Sequence, residues 1–562
     1  MQPPVDSGYR VVWFKRDLRL HDHAALQAAL SADPGGRLLC LYVLEPELWR
    51  QPDAAAQHYG FVLESLQDLQ RALQAAGADL LVALGEVTEV LQHLYALAPF
   101  RAVHAHEETG NGWTYARDLR VGRWCREHGV GWHEVPQFSV VRRLQNRDHW
   151  LRACEAHRAA PQLPAPERLA AHPSDITTRS GQPLWAAALA EGWAVPLDQL
   201  PPPAHWGMDP AEPAQRQRGG RSAGLAVLQS FLQERSARYR GGIGSPNTAP
   251  EACSRLSAYL SYGCLSLREV VQATRQAMRP DGAGAAPMGT RQRQGLNAFS
   301  SRLYWHCHFI QKLESEPELE WRNLHRGYDG LREDEFNEAH FRALTEARTG
   351  WPMVDACVVM LRETGWLNFR MRAMLVSVAA YPLWLHWRRV GEWLARQFLD
   401  YEPGIHWSQM QMQSGTTGIN TTRVYNPIKQ AQDHDPHGVF VRRWLPAMRR
   451  VPDSWLFEPW RMPPDVQARC GVVVGVDIPV PVVDLESATR TAKARLHERR
   501  AQPHVQAGKA RVVQRHGSRK GMPGAEQRDT LERGPVGARA GAGRSSRAQT
   551  EAARAAQLTL DF

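Results

Sequence analysis

The sequence lacks the features of an exported, membrane-spanning or metal-binding protein. Its eight cysteines form no C-x-x-C pair, which argues against a zinc ribbon and gives no support to an iron–sulfur cluster. The amino terminus, MQPPVDSGYR, has no apolar signal core, and the most apolar stretch, AMLVSVAAYPLWLHW, is too short to span a bilayer. We therefore expect a soluble cytosolic protein with free thiols and without a metal centre.

What the chain has in excess is positive charge near its carboxyl terminus. The net charge is +10, and residues 491–550 hold 14 Lys and Arg against 4 Asp and Glu. Residues 486–562 are rich in Ala, Gly and Arg and have no apolar periodicity, which predicts a disordered basic tail. Such a tail either attracts nucleic acid regardless of base sequence or only keeps the protein soluble, and composition does not decide between the two.

Apolar and amphipathic segments alternate through residues 8–145. The predicted strands are VVWF, LLCLYVL, DLLVALG and AVHAH, and the predicted helices between them cover 55–77 and 115–128. This order predicts an α/β domain built on a parallel sheet. No G-x-G-x-x-G follows the first strand, so the fingerprint of a dinucleotide-binding domain is missing.

Two further regions follow this domain. Residues 146–225 are rich in Pro and Ala, which predicts a connector that crosses the surface between domains. Residues 226–485 have helical patterns with polar breaks, which predicts a predominantly α-helical second domain. At 562 residues the chain is long enough to give each domain its own core.

The most informative segment lies between Thr349 and Pro427, where six tryptophans accompany arginines on predicted helices. A flat cofactor with a diphosphate needs aromatic walls for its rings and cations for its phosphates. This segment, VVWFKRDLRLHDHAAL (11–26) and SRLSAYLSYGCLS (254–266) resemble, in the same order, three segments of the cryptochrome/photolyase family. The resemblance implies a Rossmann- or flavodoxin-like amino-terminal domain and a helical domain that binds FAD.

The resemblance also assigns residues to the FAD site. In this sequence they are Tyr239, Cys253, Ser254, Arg255, Leu256, Ser257, His306, Trp366, Arg372, Asp400, Glu402 and His406. Hydroxyls and a first helical turn around 253–257 suit a diphosphate, although Cys253 stands where the family has a hydroxyl. His406 stands where repair enzymes carry Asn opposite flavin N5. Structural alternatives remain open: a helix cap at 253–257, an ion pair between Arg372 and Asp400, and simple packing of His406.

Four residues are predicted to serve the electron chemistry: Trp366, Trp387, Trp407 and His406. Members of the family usually reduce the flavin under light through three tryptophans, and Trp387 matches the middle one. The position next to the flavin is Met410, which does not relay an electron hole as an indole does. Either Trp407 or Trp384 bypasses this gap, or the protein photoreduces poorly.

Six residues are predicted on the DNA side: Arg302, Trp305, Asn368, Phe369, Arg370 and Met412. In the family, Trp305 matches an indole on which a flipped pyrimidine dimer stacks, and Arg370 matches an arginine on the substrate side. Arg302 replaces a glutamate that binds the dimer, Phe369 replaces an asparagine, and Met412 replaces a second stacking tryptophan. The pocket therefore suits stacked bases but lacks the usual hydrogen-bond pattern for cyclobutane dimers.

The resemblance implies light-dependent repair of ultraviolet-damaged DNA, in which excited reduced FAD gives an electron to a flipped pyrimidine dimer. A cryptochrome-type photoreceptor without repair activity is the first alternative, and a DNA-binding or clamp-associated interaction protein is the second. The first domain often holds a light-harvesting pigment in this family. Here EETGNGWTYARD (107–118) departs from the folate pattern, so a second chromophore of unknown identity and an empty domain both stay open. We expect a bacterial monomer of the cytosol or nucleoid.

The final six residues, QLTLDF, resemble the short peptides with which bacterial repair factors dock on the replication sliding clamp. Gln557 would fix the register while Leu558, Leu560 and Phe562 enter an apolar groove. A chance match is the alternative, because so short a motif recurs often.

Overall fold

The computed structural model describes residues 8–279, 288–419 and 423–517. Its first domain holds a parallel sheet of five strands in the order β3-β2-β1-β4-β5. The strands are β1 (Tyr9–Phe14), β2 (Leu38–Leu44), β3 (Leu80–Leu84), β4 (Phe100–His106) and β5 (Gly131–Val135). The first four occupy the predicted positions, which confirms the α/β fold. The fifth strand, GWHEV, is only partly buried at the sheet edge and therefore has no continuous apolar run.

The strand order creates a cleft beside β1. β1 is the central strand and pairs with both β2 and β4. β2 and β3 lie on one side of it, and β4 and β5 lie on the other. Ligands of open parallel sheets bind outside the carboxyl ends of the strands at such a switch point. The flanking helices are α1 (Ala24–Ala32), α2 (Pro46–Trp49), α3 (Ala56–Ala75), α4 (Val87–Leu97) and α5 (Gly112–Glu127).

The connector after this domain has little regular structure. Its helices are α6 (Trp150–Ala159) and α7 (Leu184–Ala190). The Val195 N–H donates to the Val82 carbonyl at 3.0 Å, and the buried Trp206 packs against Tyr59 with 6.4 Å between ring centres. The connector therefore lies along the first domain.

The second domain is helical, as predicted. Its helices are α8 (Arg221–Ser230), α9 (Ser236–Gly242), α10 (Ala249–Ala252), α11 (Ser257–Ser261), α12 (Leu267–Ala277), α13 (Thr290–Ser315), α14 (Glu338–Thr345), α15 (Pro352–Thr364), α16 (Phe369–Ala380), α17 (Trp387–Gln397), α18 (Pro403–Ser414), α19 (Pro427–His434), α20 (Val439–Trp444) and α21 (Pro464–Cys470). A π-helical segment, Phe231–Arg235, joins α8 to α9. The longest helix, α13, packs against both α9 and α18 and so forms the centre of the domain. Within the described ranges no helix combines the length and apolarity that a bilayer crossing needs.

The disordered tail is predicted to begin at residue 486, but the structure remains helical beyond that residue. Two helices, α22 (Leu485–Ala501) and α23 (Pro503–His516), form a hairpin on the second domain. Its buried apolar residues are Ala492, Leu496, Val505 and Val512. The prediction of disorder is therefore wrong through residue 516, because a few apolar anchors among many Ala and Arg residues hold both helices in place. The prediction for residues 518–562 lies outside the described residues.

Candidate functional site

A cavity of 310 Å³ lies in the helical domain, bordered by the loop before α11 and by α13, α16 and α18. The structure brings ten of the predicted FAD-site residues to its wall: Tyr239, Cys253, Ser254, Arg255, Leu256, Ser257, His306, Trp366, Arg372 and Asp400. Apolar side chains such as Phe299, Leu303 and Leu367 complete the wall. The cavity thus combines aromatic and cationic groups on one surface, as a ring system with a diphosphate requires.

One end of the cavity is a tight loop at residues 253–257. Arg255 has a left-handed backbone with φ 61°, and its carbonyl accepts a hydrogen bond from Gln217 Nε2 at 2.9 Å. Its guanidinium lies 4.0 Å from the centre of the Trp366 ring. Burial lowers the pKa of Arg255 to about 10, so the group remains a cation at neutral pH. A cation beside the serine hydroxyls of this loop suits a phosphate group.

A bidentate ion pair stands on another part of the wall. Arg372 Nη1 and Nη2 donate to the two carboxylate oxygens of Asp400 at 2.9 and 3.0 Å, and Nε donates to the Leu367 carbonyl at 2.6 Å. Burial alone would raise the pKa of Asp400, but the charge and hydrogen bonds of Arg372 outweigh it and hold that pKa below its usual value. Asp400 is therefore an ionised acceptor that faces the cavity.

His306 adds a buried ring nitrogen, Nε2, to the cavity wall. Burial lowers the pKa of His306 to about 3, with a further contribution from Arg158 and Arg16, so the ring is neutral. This Nε2 has no hydrogen-bond partner among the residues that the structure describes. Buried polar atoms are rarely left unpaired in proteins, so this nitrogen fits a polar group of a bound cofactor.

The DNA-side residues divide into two groups. Four of them line the same cavity: Arg302, Trp305, Phe369 and Met412. Phe369 is 39% exposed, which places this part of the wall at the solvent. Asn368 instead donates to the carbonyls of Ile243 and Gly244 at 3.0 and 3.1 Å, and Arg370 lies beside Gly244. Neither Asn368 nor Arg370 is on the cavity wall.

Two predicted FAD-site residues lie outside the cavity wall. Glu402 forms an ion pair with Arg16 of the first domain. His406 Nε2 lies 2.9 Å from the Gly391 carbonyl, and the ring packs edge-on against Trp407. A partly buried face of α18 reaches the cavity instead, and its wall residues are Ile405, Gln409 and Met412. These three positions share one face because helical neighbours recur every three or four residues.

Several residues of the wall were absent from the sequence prediction. They are Ile243, Leu260, Phe299, Leu303, Phe309, Leu367, Ile405 and Gln409. Their signal is helical periodicity, because Phe299, Leu303, His306 and Phe309 follow one face of α13. Matching by family position alone did not use this pattern.

Two family profiles match this chain, and together they span more than half of it. Residues 10–147 match DNA photolyase, and residues 299–498 match the FAD binding domain of DNA photolyase. The chain belongs to the cryptochrome/photolyase family. The matched regions contain the parallel sheet and the helices α13, α16 and α18 that border the cavity.

Some relatives of this cryptochrome/photolyase protein are named cryptochromes and others are named photolyases. A cryptochrome DASH of Gloeobacter violaceus is 28% identical over 508 residues, which are 84% of this chain and 93% of the relative. A deoxyribodipyrimidine photo-lyase of Alkalihalophilus pseudofirmus is 25% identical over 511 residues, 85% of this chain and 95% of the relative. A class III photolyase structure from Agrobacterium tumefaciens shares the fold, with a TM-score of 0.72, 22% identity and coverage of 89% and 100%.

In this photolyase-family fold, Trp387 and Trp407 form a buried pair. Their ring centres are 6.0 Å apart, and each side chain is 1% exposed. Trp384 lies instead between two guanidinium groups, Arg332 at 4.5 Å and Arg495 at 4.9 Å. Nearby cations raise the energy of an oxidised indole, and Trp407 has one such neighbour, Arg388 at 4.8 Å. Trp407 is therefore a better candidate than Trp384 to carry an electron past Met410 to the flavin.

A second cavity, of 120 Å³, lies at the switch point of the photolyase-type sheet. Segment 107–118 contributes Glu108, Gly110, Asn111, Thr114 and Arg117 to its wall. Arg117 pairs with Glu45 at 2.8 Å and with Glu108 at 2.9 Å. Trp49, Tyr262 and Tyr401 add aromatic surface. The segment that departs from the folate pattern, residues 107–118, thus lines this second cavity.

Three buried residues of the first domain whose side chains can bind metals lie close together: Asp17, His23 and His106. Asp17 Oδ2 lies 2.6 Å from His106 Nδ1 and 3.1 Å from His23 Nε2. The other nitrogen of His23 accepts the Leu26 N–H at 3.0 Å. Asp17 thus forms a hydrogen bond with the His106 ring and lies within ion-pair distance of the His23 ring.

Proposed function

We propose that this protein repairs ultraviolet-induced pyrimidine dimers in DNA in a light-dependent reaction. The observation that carries the proposal is a single cavity with two chemically different parts. One part holds the loop at 253–257 and the pair Arg372–Asp400, and the other holds Trp305 and the exposed Phe369. A cofactor and a flipped base can therefore meet within one cavity that opens to the solvent.

The protein residues would have separate roles in this reaction. FAD, when bound, supplies the electron that blue light makes available to the dimer. Arg255 and the serines of the 253–257 loop would hold its phosphates, and Asp400, fixed by Arg372, would accept a hydrogen bond from its ring system. Trp305 would stack on the extruded lesion, whose extrusion costs least because its pairing is already damaged.

The test is repair of an oligonucleotide with one defined dimer, under blue light and in the dark. A cryptochrome-type photoreceptor is the second candidate, and one observation favours it. The hairpin α22–α23 packs beside α13 and the end of α16, which both border the cavity, so a change there could reach the carboxyl-terminal region. Light-driven changes in the hairpin without repair would identify a sensor.

We expect Trp407→Phe and Trp387→Phe each to slow light-driven flavin reduction about tenfold or more in the presence of an external thiol. Phenylalanine keeps an aromatic ring at each position but is much harder to oxidise than indole. Trp384→Phe is the matched control, because two arginines already disfavour oxidation of that indole. The measurement is flavin absorbance against illumination time. Unchanged rates in the first two variants would mean that electrons enter by another route.

We also propose that the second cavity holds a light-harvesting pigment. Its place at the carboxyl ends of β1, β2 and β4 and its aromatic wall support a planar ligand. Pigment extracted from the denatured protein, separated and identified by mass, would test this. One FAD per chain and no other pigment would count against it.

We further propose that the QLTLDF terminus docks on the sliding clamp. The residues that would bind are Gln557, Leu558, Leu560 and Phe562, and they lie outside the described residues. A peptide of residues 553–562 should bind the host clamp with micromolar affinity, and replacement of Leu560 and Phe562 by Ala should abolish binding. No binding at high micromolar peptide would leave the terminus without this role.

A further inference from the structure

The hairpin α22–α23 concentrates positive charge next to the helices that border the main cavity. Residues 485–516 contain eight Lys and Arg against two Asp and Glu. Arg490, Arg495 and Arg515 form ion pairs with Glu486, Glu335 and Glu316. The two grooves beside α23 differ in their acidic content.

One groove lies on the side of α23 that carries Lys509. Its volume is 160 Å³, and a cavity needs only about 10–15 Å³ to hold one water molecule, so a phosphate group fits with part of its hydration. Arg500, Lys509 and Gln506 supply its polar groups, and none of the described residues that line it is acidic. His325 closes one wall, with Nε2 2.9 Å from the Val505 carbonyl. The groove is therefore a cationic recess without a carboxylate.

The other groove lies on the side of α23 that carries Arg511. Its wall includes Glu316 and Glu318, which offset the positive charge there. Lys509 and Arg511 are both exposed and only two residues apart, so they point to different sides of the same helix. Lys509 and Arg511 can therefore be compared directly. Each carries one positive charge, but of the two grooves only the one beside Arg511 has described carboxylates in its wall.

Two lines of contact connect the base-stacking end of the main cavity with this hairpin. Along α13, Trp305 and Phe309 have ring centres 5.9 Å apart, and Lys312 Nζ lies 4.9 Å from the Phe309 ring centre. The next residue, Leu313, belongs to the same apolar cluster as Val512 of the hairpin. Along α18, Met412 lines the cavity, and the loop after the helix brings residues 418–419 to the wall of the Lys509 groove. A strand with one base in the cavity could thus continue toward the hairpin.

We propose that the groove between Arg500 and Lys509 binds a backbone phosphate of the DNA strand that carries the lesion. The inference rests on the proposed function, since it assumes a base at Trp305. A guanidinium and an ammonium line one recess, and both groups donate hydrogen bonds to phosphate oxygens. The contact positions the strand and does not read its sequence.

The test compares Lys509→Gln with Arg511→Gln in the full chain. Binding to a duplex with one defined dimer is measured at several salt concentrations, because each phosphate contact contributes about 0.9 to the slope of log K against log salt concentration. Lys509→Gln should reduce the slope by about one contact and weaken binding severalfold at low salt. Arg511→Gln removes the same charge and should change the slope by less than about a third of that amount.

Two outcomes would overturn the phosphate site. Equal losses in both variants would mean that only the bulk charge of the hairpin matters, and an unchanged slope in Lys509→Gln would mean that no phosphate sits in the groove. The preference for damaged over undamaged DNA should be the same in wild type and both variants. A wild-type protein without that preference would reject the proposed repair function instead, so the two failures are distinguishable.

Discussion

The double variant Arg372→Ala/Asp400→Ala is expected to purify as a folded protein without flavin. Arg372 and Asp400 bind each other through two hydrogen bonds on the cavity wall. Removing one partner alone leaves a buried charge uncompensated, at a cost of about 3–5 kcal/mol, which would confuse loss of cofactor with loss of fold. Removing both avoids that penalty, so the effect falls on the cofactor. Flavin absorbance relative to protein should drop from near stoichiometric to less than about a tenth.

The matched control is a second bidentate pair that lies away from the cavity. Arg221 donates to both carboxylate oxygens of Glu269 at 2.9 and 2.6 Å, and neither residue lines the main cavity. Arg221→Ala/Glu269→Ala should keep its flavin, and circular dichroism should show native helix content in both double variants. Stoichiometric flavin in Arg372→Ala/Asp400→Ala would show that the cofactor is held elsewhere.

The second large effect concerns recognition of damaged DNA. Stacking of a base on an aromatic side chain is worth roughly 1–3 kcal/mol, or about 5- to 150-fold in affinity. Trp305→Ala should therefore weaken binding to a dimer-containing oligonucleotide about tenfold or more, while flavin content and binding to undamaged DNA change little. Fluorescence anisotropy with damaged and undamaged duplexes of the same sequence would measure both.

A matched indole tests whether the effect is local. Trp321 is 48% exposed and lies beside Gly112 of the first domain, away from the cavity. Trp321→Ala should leave binding to damaged DNA within about twofold of wild type. If Trp305→Ala behaves in the same way as Trp321→Ala, the lesion does not stack on Trp305.

The sheet was predictable because its central strands are continuous apolar runs. β2 is buried at every position, and β1 at all but one. The edge strand β5 and the hairpin α22–α23 escaped prediction for one physical reason, since each buries only a few side chains and keeps the rest in water. Sequence patterns reveal a helix or strand by its apolar face. The apolar faces of β5, α22 and α23 are too narrow to produce a clear pattern.

The cavity was predictable where its wall is one short segment of chain. Residues 253–257 form a single loop, so a local motif placed all five on the wall. On helix α18 the same approach placed His406 at the cofactor, whereas the neighbouring face with Ile405 reaches the wall. One residue along a helix turns the side chain by about 100°. Identity at a family position does not fix that rotation; packing against the neighbouring helices does.

The central claim is light-dependent repair, and the most direct measurement is the recovery of intact pyrimidines. Flavin-loaded protein, chemically reduced so that the tryptophan route is not needed, is mixed with an oligonucleotide that carries one cyclobutane or one six-four lesion. After blue-light illumination we expect the undamaged oligonucleotide from at least one of the two substrates, with none formed in the dark or by the Arg372→Ala/Asp400→Ala protein. Full flavin occupancy and illumination without conversion of either lesion would contradict it.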